Sequence, residues 1–320
     1  MHPEAIVVAD ELLRYPSCLI FTHVNPEGDA IGSMLALAIA LEQKGIMVQC
    51  FDKDGVPTNN CFLPTASRVL TTLPEVIPPL VVFVDAHTVE RCGVNRELLA
   101  SAQSIVRIDH HISEGADLGL ALVDTEAAAA GELVFEVIAR LGVELTPDIA
   151  TCLMTTLMVD TGRFSYSNTT PNTHHVAAAL LTAGADTQLI SKEIWGCIPV
   201  AALTLLGRAM AALQMTSDGR VAWSKLTRDD YIATGAREED TEGIIDQVRC
   251  AQGNEVAALF TERNNVVRVS LRSQGTVDVA ALARIFGGGG HVKAAGITMD
   301  TPLDDAIAKV LAAIDEAMGQ

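Results

Sequence analysis

Residues 18–33 run Cys18-Leu19-Ile20-Phe21-Thr22-His23-Val24-Asn25-Pro26-Glu27-Gly28-Asp29-Ala30-Ile31-Gly32-Ser33. An apolar run that ends at a histidine, crosses a short acidic loop and enters an apolar helical stretch near 29–44 has the pattern of a buried strand feeding a helix. The pattern recurs. Leu80-Val81-Val82-Phe83-Val84 leads to Asp85, and Ser104-Ile105-Val106-Arg107-Ile108 leads to Asp109-His110-His111. Leu153-Met154-Thr155-Thr156-Leu157-Met158-Val159 leads to Asp160. The first three runs read as strands; the fourth fits a helix equally well. In an open parallel sheet the carboxyl ends of the strands share one edge, where ligands bind, so side chains distant in sequence can converge.

Outward from these runs, a helix is expected at about 4–14 and a further strand near 46–51, with prolines marking the loops between. The class is α/β, with a mainly parallel sheet flanked by helices. A chain of 320 residues suits two domains of about 100–200 residues each. The expected division is a metal-binding catalytic domain at 1–185, a helical linker at 186–216 and a smaller mixed α/β domain at 217–320. The last should hold a strand near 220–226, helices near 228–250, a hairpin of 255–262 and 266–272, a helix from Asp278 and a glycine run.

The formal charge of -18 excludes broad attachment to long duplex nucleic acid, which draws its affinity from many Lys and Arg contacts to phosphate. A small anionic ligand remains compatible, because residues 249–293 carry Arg249, Arg263, Arg268, Arg272, Arg284 and Lys293 against Glu255, Glu262 and Asp278. Seven cysteines without a C-x-x-C pair indicate neither a disulfide framework nor a zinc ribbon. No signal-peptide pattern and no run of roughly 18 apolar residues is present. A cytoplasmic protein with no membrane partner is expected, and exposed apolar residues on the linking helices would support a homodimer.

One aspartate at a strand end is usually a helix cap, and one histidine is usually a satisfied polar residue. Four clusters in register with element ends are hard to justify as packing. Imidazoles and carboxylates without a thiolate suit Mn²⁺ better than a structural zinc site. A carboxylate such as Asp85 can bridge two ions, and ions about 3.5–4 Å apart clamp both oxygens of an in-line phosphoryl displacement. In the second domain, Arg268, Ser270 and Arg272 share one strand face by alternation. They can meet the glycine run, in which Gly288, Gly289 and Gly290 expose backbone N–H groups beside His291 and Lys293. That conjunction favours a phosphate cradle.

These elements resemble the DHH phosphoesterase superfamily over nearly the full length. Thr22 to Ser33 resembles its first motif, Val84-Asp85 its second, Asp109-His110-His111 its namesake element and Val159 to Tyr166 its fourth. The resemblance implies that His23, Glu27 and Asp85 hold one divalent ion and that Asp29, Asp85, His110 and Asp160 hold another. It also implies that His111 faces the scissile phosphate while Asp109 orients the histidines. Glu27 departs from the family pattern, which has Asp there, and its extra methylene exceeds the roughly 0.5 Å tolerance of an organised site.

Gly287 to Gly296 resembles the DHHA1 substrate-binding element. Val267 to Ser273 followed by Val277 to Ala280 is similar to the compact nano-RNases that also dephosphorylate 3'-phosphoadenosine 5'-phosphate. The resemblance implies hydrolysis of very short oligoribonucleotides, or of small phosphorylated nucleotides, by an activated hydroxide. Two other readings share these residues: a phosphodiesterase for cyclic or linear dinucleotides, and a non-catalytic nucleotide sensor. A manganese pyrophosphatase would lack the Gly287 to Gly296 element, and a processive exonuclease would need further domains and a longer basic groove.

Overall fold

The computed structural model describes residues 2–111, 119–196, 198–263 and 266–319. The chain divides into two compact units, Met1–Cys197 and Ile198–Gln320.

In the first unit the elements run α1 (Pro3–Leu12), β1 (Ser17–Phe21), α2 (Gly28–Gln43), β2 (Met47–Phe51), β3 (Leu80–Val84), β4 (Ser104–Asp109) and β5 (Leu120–Val123). They continue with α3 (Ala130–Leu141), α4 (Pro147–Asp160), α5 (Pro171–Thr182) and α6 (Thr187–Ser191). The five strands are all parallel, in the order β2-β1-β3-β4-β5. Strands buried on both faces must be apolar throughout, and β3 is buried at every position. Alternation then divides each strand between two cores. Cys18, Ile20, Leu80, Val82 and Val84 pack with α1 to α4. Leu19, Phe21, Val81 and Phe83 face the opposite side, where Val89, Cys92, Leu98 and Leu99 from short 3-10 turns cover them. Phe21 stacks on Phe83 at 5.3 Å there and meets Phe51 edge-on.

The fourth run is a helix. Every residue of α4 from Ile149 to Met158 is buried, so the polar stripe that normally betrays a helix is missing. Thr146 accepts from the Ile149 N–H and Pro147 occupies the first turn, which fixes where α4 begins.

The second unit contains α7 (Val200–Ala211), β6 (Gln214–Met215), β7 (Val221–Leu226), α8 (Arg228–Thr234), α9 (Ile244–Arg249), β8 (Val256–Arg263) and β9 (Val266–Ser273). It ends with α10 (Val279–Ile285), β10 (Gly289–His291), β11 (Ala294–Met299) and α11 (Leu303–Met318). Its six strands form a mixed sheet in the order β10-β11-β9-β8-β7-β6, parallel only between β7 and β8. One face packs on α10 and α11 through Val267, Val269, Leu271, Ala295 and Ile297. On the other face Ala222, Ala257 and Leu259 pack with α7 and α9. α9 reaches β9, where Asp246 meets Arg272, and beyond it the outward residues of β11 and β10 are exposed or half-buried. No single helix among the described residues is long and apolar enough to cross a membrane.

Candidate metal centre

β1, β3 and β4 are neighbours in the first sheet, and their carboxyl ends deliver His23, Asp85 and Asp109-His110. α2 starts at Gly28 and sets Asp29 in its first turn, whereas α4 ends on Asp160. Close helix packing brings Asp160 to this edge. A Cβ on Gly28 would lie 2.6 Å from Val159 Cγ2, and one on Gly32 would lie 2.6 Å from the Cys152 carbonyl oxygen. A Cβ on Gly131 would overlap the Thr156 hydroxyl. Gly28 and Gly32 thus open room for α4, and Gly131 lets α3 approach it from another side.

Asp85 stands at the middle of the cluster. Its Oδ2 lies 3.5 Å from His23 Nε2, while its Oδ1 faces His110 Nε2 at 3.5 Å and His111 Nδ1 at 3.3 Å. Its backbone is left-handed, with φ 56°, a costly conformation outside glycine that persists where the surroundings enforce it. Here its N–H donates to the Ile108 carbonyl at 2.9 Å. His110 Nε2 also lies 3.5 Å from Asp29 Oδ2 and 3.4 Å from Asp160 Oδ2. The Nδ1 atoms of His23 and His110 sit 2.9 Å and 3.2 Å from the carbonyls of Val24 and Ala127, which turns both Nε2 atoms inward. His111 Nδ1 lies 2.9 Å from Asp109 Oδ1, and Asp109 is wholly buried. Asp29 accepts from Ser33 Oγ at 3.0 Å and from the N–H groups of Ala130 at 2.7 Å and Gly131 at 3.1 Å. Ser33 is therefore a buried partner of Asp29.

So many carboxylates in one buried place cannot all ionise without a cation. Burial and the charge of Asp85 push Asp29 up to about 6, and burial with Asp29 and Asp85 pushes Asp160 up to about 9. Burial opposes charge on His110, but Asp85, Asp29 and Asp160 outweigh it and raise the ring to about 10. Burial alone would raise Asp85, yet the rings of His110 and His23 hold it below the usual carboxylate range. Asp85 Oδ1 is buried and has no hydrogen-bond partner among the described residues. Two groups present converging ligand atoms: Asp85 with His110 and His111, and Asp29 with His110 and Asp160. An oxygen and imidazole donor set of this kind fits hard-to-intermediate divalent ions.

Glu27 is exposed, at the position preceding α2, and its carboxylate belongs to neither converging group. Beyond Asp160, Gly162, Arg163 and Phe164 all have positive φ, of 54°, 60° and 64°. Thr161 Oγ1 accepts the Phe164 N–H at 2.8 Å, and Asn168 Nδ2 donates to the Asp160 and Ala128 carbonyls, each at 3.1 Å, so this turn is tied to the site. Phe164 packs on the core and stacks on His174, whereas Tyr166 is 57% exposed. Sequence reading missed Asn168, which acts through its amide alone. It also missed His87, whose ring centroid lies 6.0 Å from that of His111.

In the second unit Arg268, Ser270 and Arg272 line one cleft of about 620 Å³. Register continues that face across the sheet: Ser270 is level with Gly296 and Gly289, and Arg272 with Ala294 and His291. The glycine run is an edge strand with a tight entry. A Cβ on Gly288 would strike the Gly296 carbonyl, and one on Gly290, at φ 147°, would strike that of Ala294. Lining the same cleft are Glu238, Glu239 and Glu242, which lie outside the basic window read from the sequence.

The N-terminal domain of the DHH family matches residues 17–157, and the DHHA1 domain matches 218–320. The bifunctional oligoribonuclease and PAP phosphatase NrnA of Thermus thermophilus is 34% identical over 303 residues, covering 93% of this chain and 89% of that protein. The chain belongs to the DHH family. A further relative, the cyclic-di-AMP phosphodiesterase PdeA of Listeria monocytogenes, is 28% identical over 92% of this chain and 47% of its own length. The crystal structure of an exopolyphosphatase-related protein from Bacteroides fragilis superposes with a TM-score of 0.83 at 22% identity, covering 99% of this chain and 96% of that one. It shares the DHH-family fold.

Proposed function

We propose that this protein hydrolyses very short oligoribonucleotides to mononucleotides, and 3'-phosphoadenosine 5'-phosphate to AMP and phosphate. The observation that carries this reading is the convergence of Asp29, Asp85, His110 and Asp160 at one sheet edge, in a chain similar to NrnA along nearly its whole length. The cofactor is a pair of divalent ions, foremost Mn²⁺, held by Asp29, Asp85, His110 and Asp160 with His23 beside them. Such ions, when bound, neutralise the scissile phosphate and make water a better nucleophile.

The remaining steps belong to the chain. Asp109 fixes His111 through Nδ1 and leaves Nε2 to face substrate, since the His111 side chain is 45% exposed. Water adds to phosphorus and releases a proton to solvent, the P–O ester bond breaks, and a protonated His111 gives its proton to the departing ribose oxygen and is reprotonated from solvent. In the second unit Arg268, Ser270 and Arg272 hold a terminal phosphate, flanked by Gly288, Gly289, Gly290 and His291. Residues 1–185 would then be the catalytic domain, 186–216 a linker and 217–320 the substrate domain of a cytoplasmic enzyme. Val200 and Leu203 on α7 are exposed and offer an apolar surface that a homodimer would cover, which sedimentation analysis tests.

A substrate panel with Mn²⁺ tests the activity: a 5'-phosphorylated diribonucleotide, longer RNA, 3'-phosphoadenosine 5'-phosphate, pyrophosphate and cyclic di-AMP. Fastest release of mononucleotide from the diribonucleotide is expected. Preference for cyclic di-AMP would move the assignment towards the activity named for PdeA, and stoichiometric binding without product would indicate a sensor.

A further inference from the structure

The cleft bordered by Arg268, Ser270 and Arg272 carries more negative charge than a phosphate-binding face calls for. The segment from Glu238 to Gly243 also borders it, and Glu238, Glu239 and Glu242 all line the cavity. That segment is anchored. The guanidinium of Arg263, whose side chain is only 13% exposed, donates from Nη1 to Glu238 Oε2 at 2.5 Å and from Nη2 to Thr241 Oγ1 at 3.0 Å. A third contact runs from Nη2 to the Glu238 carbonyl at 3.3 Å. One half-buried cation on β8 thus holds an acidic stretch against the cleft.

The charge inventory is specific. Arg263 is committed to Glu238, and Arg272 Nε is shared with Asp246 Oδ1 at 3.4 Å. Glu239 is held by Arg237 at 2.7 Å. Neither Arg268 nor Glu242 has an ion-pair partner among the described residues. The cleft therefore offers one uncommitted guanidinium, a half-shared second one and the Ser270 hydroxyl, together with an uncommitted carboxylate. Its volume, about 620 Å³, is that of a small-molecule site.

We infer that residues 238–242 form an anion-excluding wall that sets substrate length: the cleft admits one terminal phosphate at Arg268, and further phosphodiesters are repelled by Glu242, the carboxylate that no cation holds. This rests on the reading that the Arg268 face receives substrate. A basic groove gains affinity with each added phosphate; a cleft with this inventory loses the gain after the first. The wall is a specificity element and touches no reacting atom.

The test compares the full-length protein with Glu242→Gln and with Glu239→Gln/Glu242→Gln, leaving the Glu238 anchor in place. Asp300→Asn, an exposed acid of the same unit outside the cleft, controls for net charge. Fluorescence anisotropy in EDTA measures affinity for di-, penta- and decaribonucleotides, and turnover of the same set is followed with Mn²⁺. The double variant should lower the preference for dinucleotide over decanucleotide by about five- to tenfold, while Asp300→Asn should leave it unchanged. Added salt should shrink the wild-type preference, because charges at this surface are screened over about 8–10 Å. An unchanged ratio in the double variant overturns the wall. If the parent protein binds with a length preference that the variant abolishes but cleaves nothing, the proposed activity fails and the wall stands. If it binds no oligoribonucleotide, both fail.

Discussion

The carboxylate of Asp29 accepts the backbone N–H of Ala130 at 2.7 Å, so a residue facing the metal cluster also caps the buried first turn of α3. The two roles separate by substitution. Asp29→Asn keeps an acceptor and should leave stability within about 1 kcal/mol of the parent, whereas Asp29→Ala should cost a further ~1–2 kcal/mol, the usual loss of a helix cap. Both should weaken Mn²⁺ binding by at least about 100-fold, since even supporting residues of metal sites are worth 10–100-fold. Thermal melts in EDTA with calorimetric metal titration check this; equal stability of the two variants would remove the capping role.

Asp109 touches His111 from a position without solvent access. Asp109→Asn should lower kcat by about 10–100-fold and leave the number of bound Mn²⁺ ions unchanged. Loss of metal in that variant would mean that Asp109 supports the ligands rather than His111.

Burial raises Asp52 to about 6, partly countered by the N–H groups of Asp54 and Gly55, and its Oδ2 has no hydrogen-bond partner among the described residues. Its native value lies above its unfolded one, so the native state binds the proton more tightly and stability falls as pH rises from about 4 to 6. Asp52→Asn keeps the acceptor for Asp54 N–H and should be more stable than the parent at neutral pH, by about 1–2 kcal/mol. The gain should vanish below about pH 4. Urea titrations of the metal-free protein across that range measure the slope, and parallel curves for parent and variant would contradict the assignment.

Gly131→Ala should destabilise by about 1–3 kcal/mol through overpacking against Thr156. Adding Thr156→Ala should restore part of that loss. A double variant no more stable than the single one would place the crowding elsewhere.

The strand ends were legible because three apolar runs stop at titratable residues, and a parallel sheet allows few places for them to go. The helical form of α4 was not, since burial on all sides erased its periodicity. β5, a strand of four residues with one buried, falls below what a pattern can reveal. β10 and β11 were hidden for another reason: Gly288 and Gly290 read as an anion-binding loop, although they are also small because neighbouring carbonyls leave no room. Glu27 entered the ligand set only through the resemblance; it stands exposed at the position preceding α2 and, like His23, belongs to neither converging group. The acids from Glu238 to Glu242 could not be placed in one cleft with Arg268 by any local signal, because only the folded chain brings them together.

His110 belongs to both converging groups through a single nitrogen, its other nitrogen being turned to the Ala127 carbonyl. A neutral imidazole nitrogen has one lone pair and ligates one ion, so the two groups draw on the same ligand and cannot both be satisfied by it. Uptake should therefore resolve into two unequal steps, and replacing His110 should weaken the tighter one most; adding Asp160→Asn to that variant should cost less than the same change does alone.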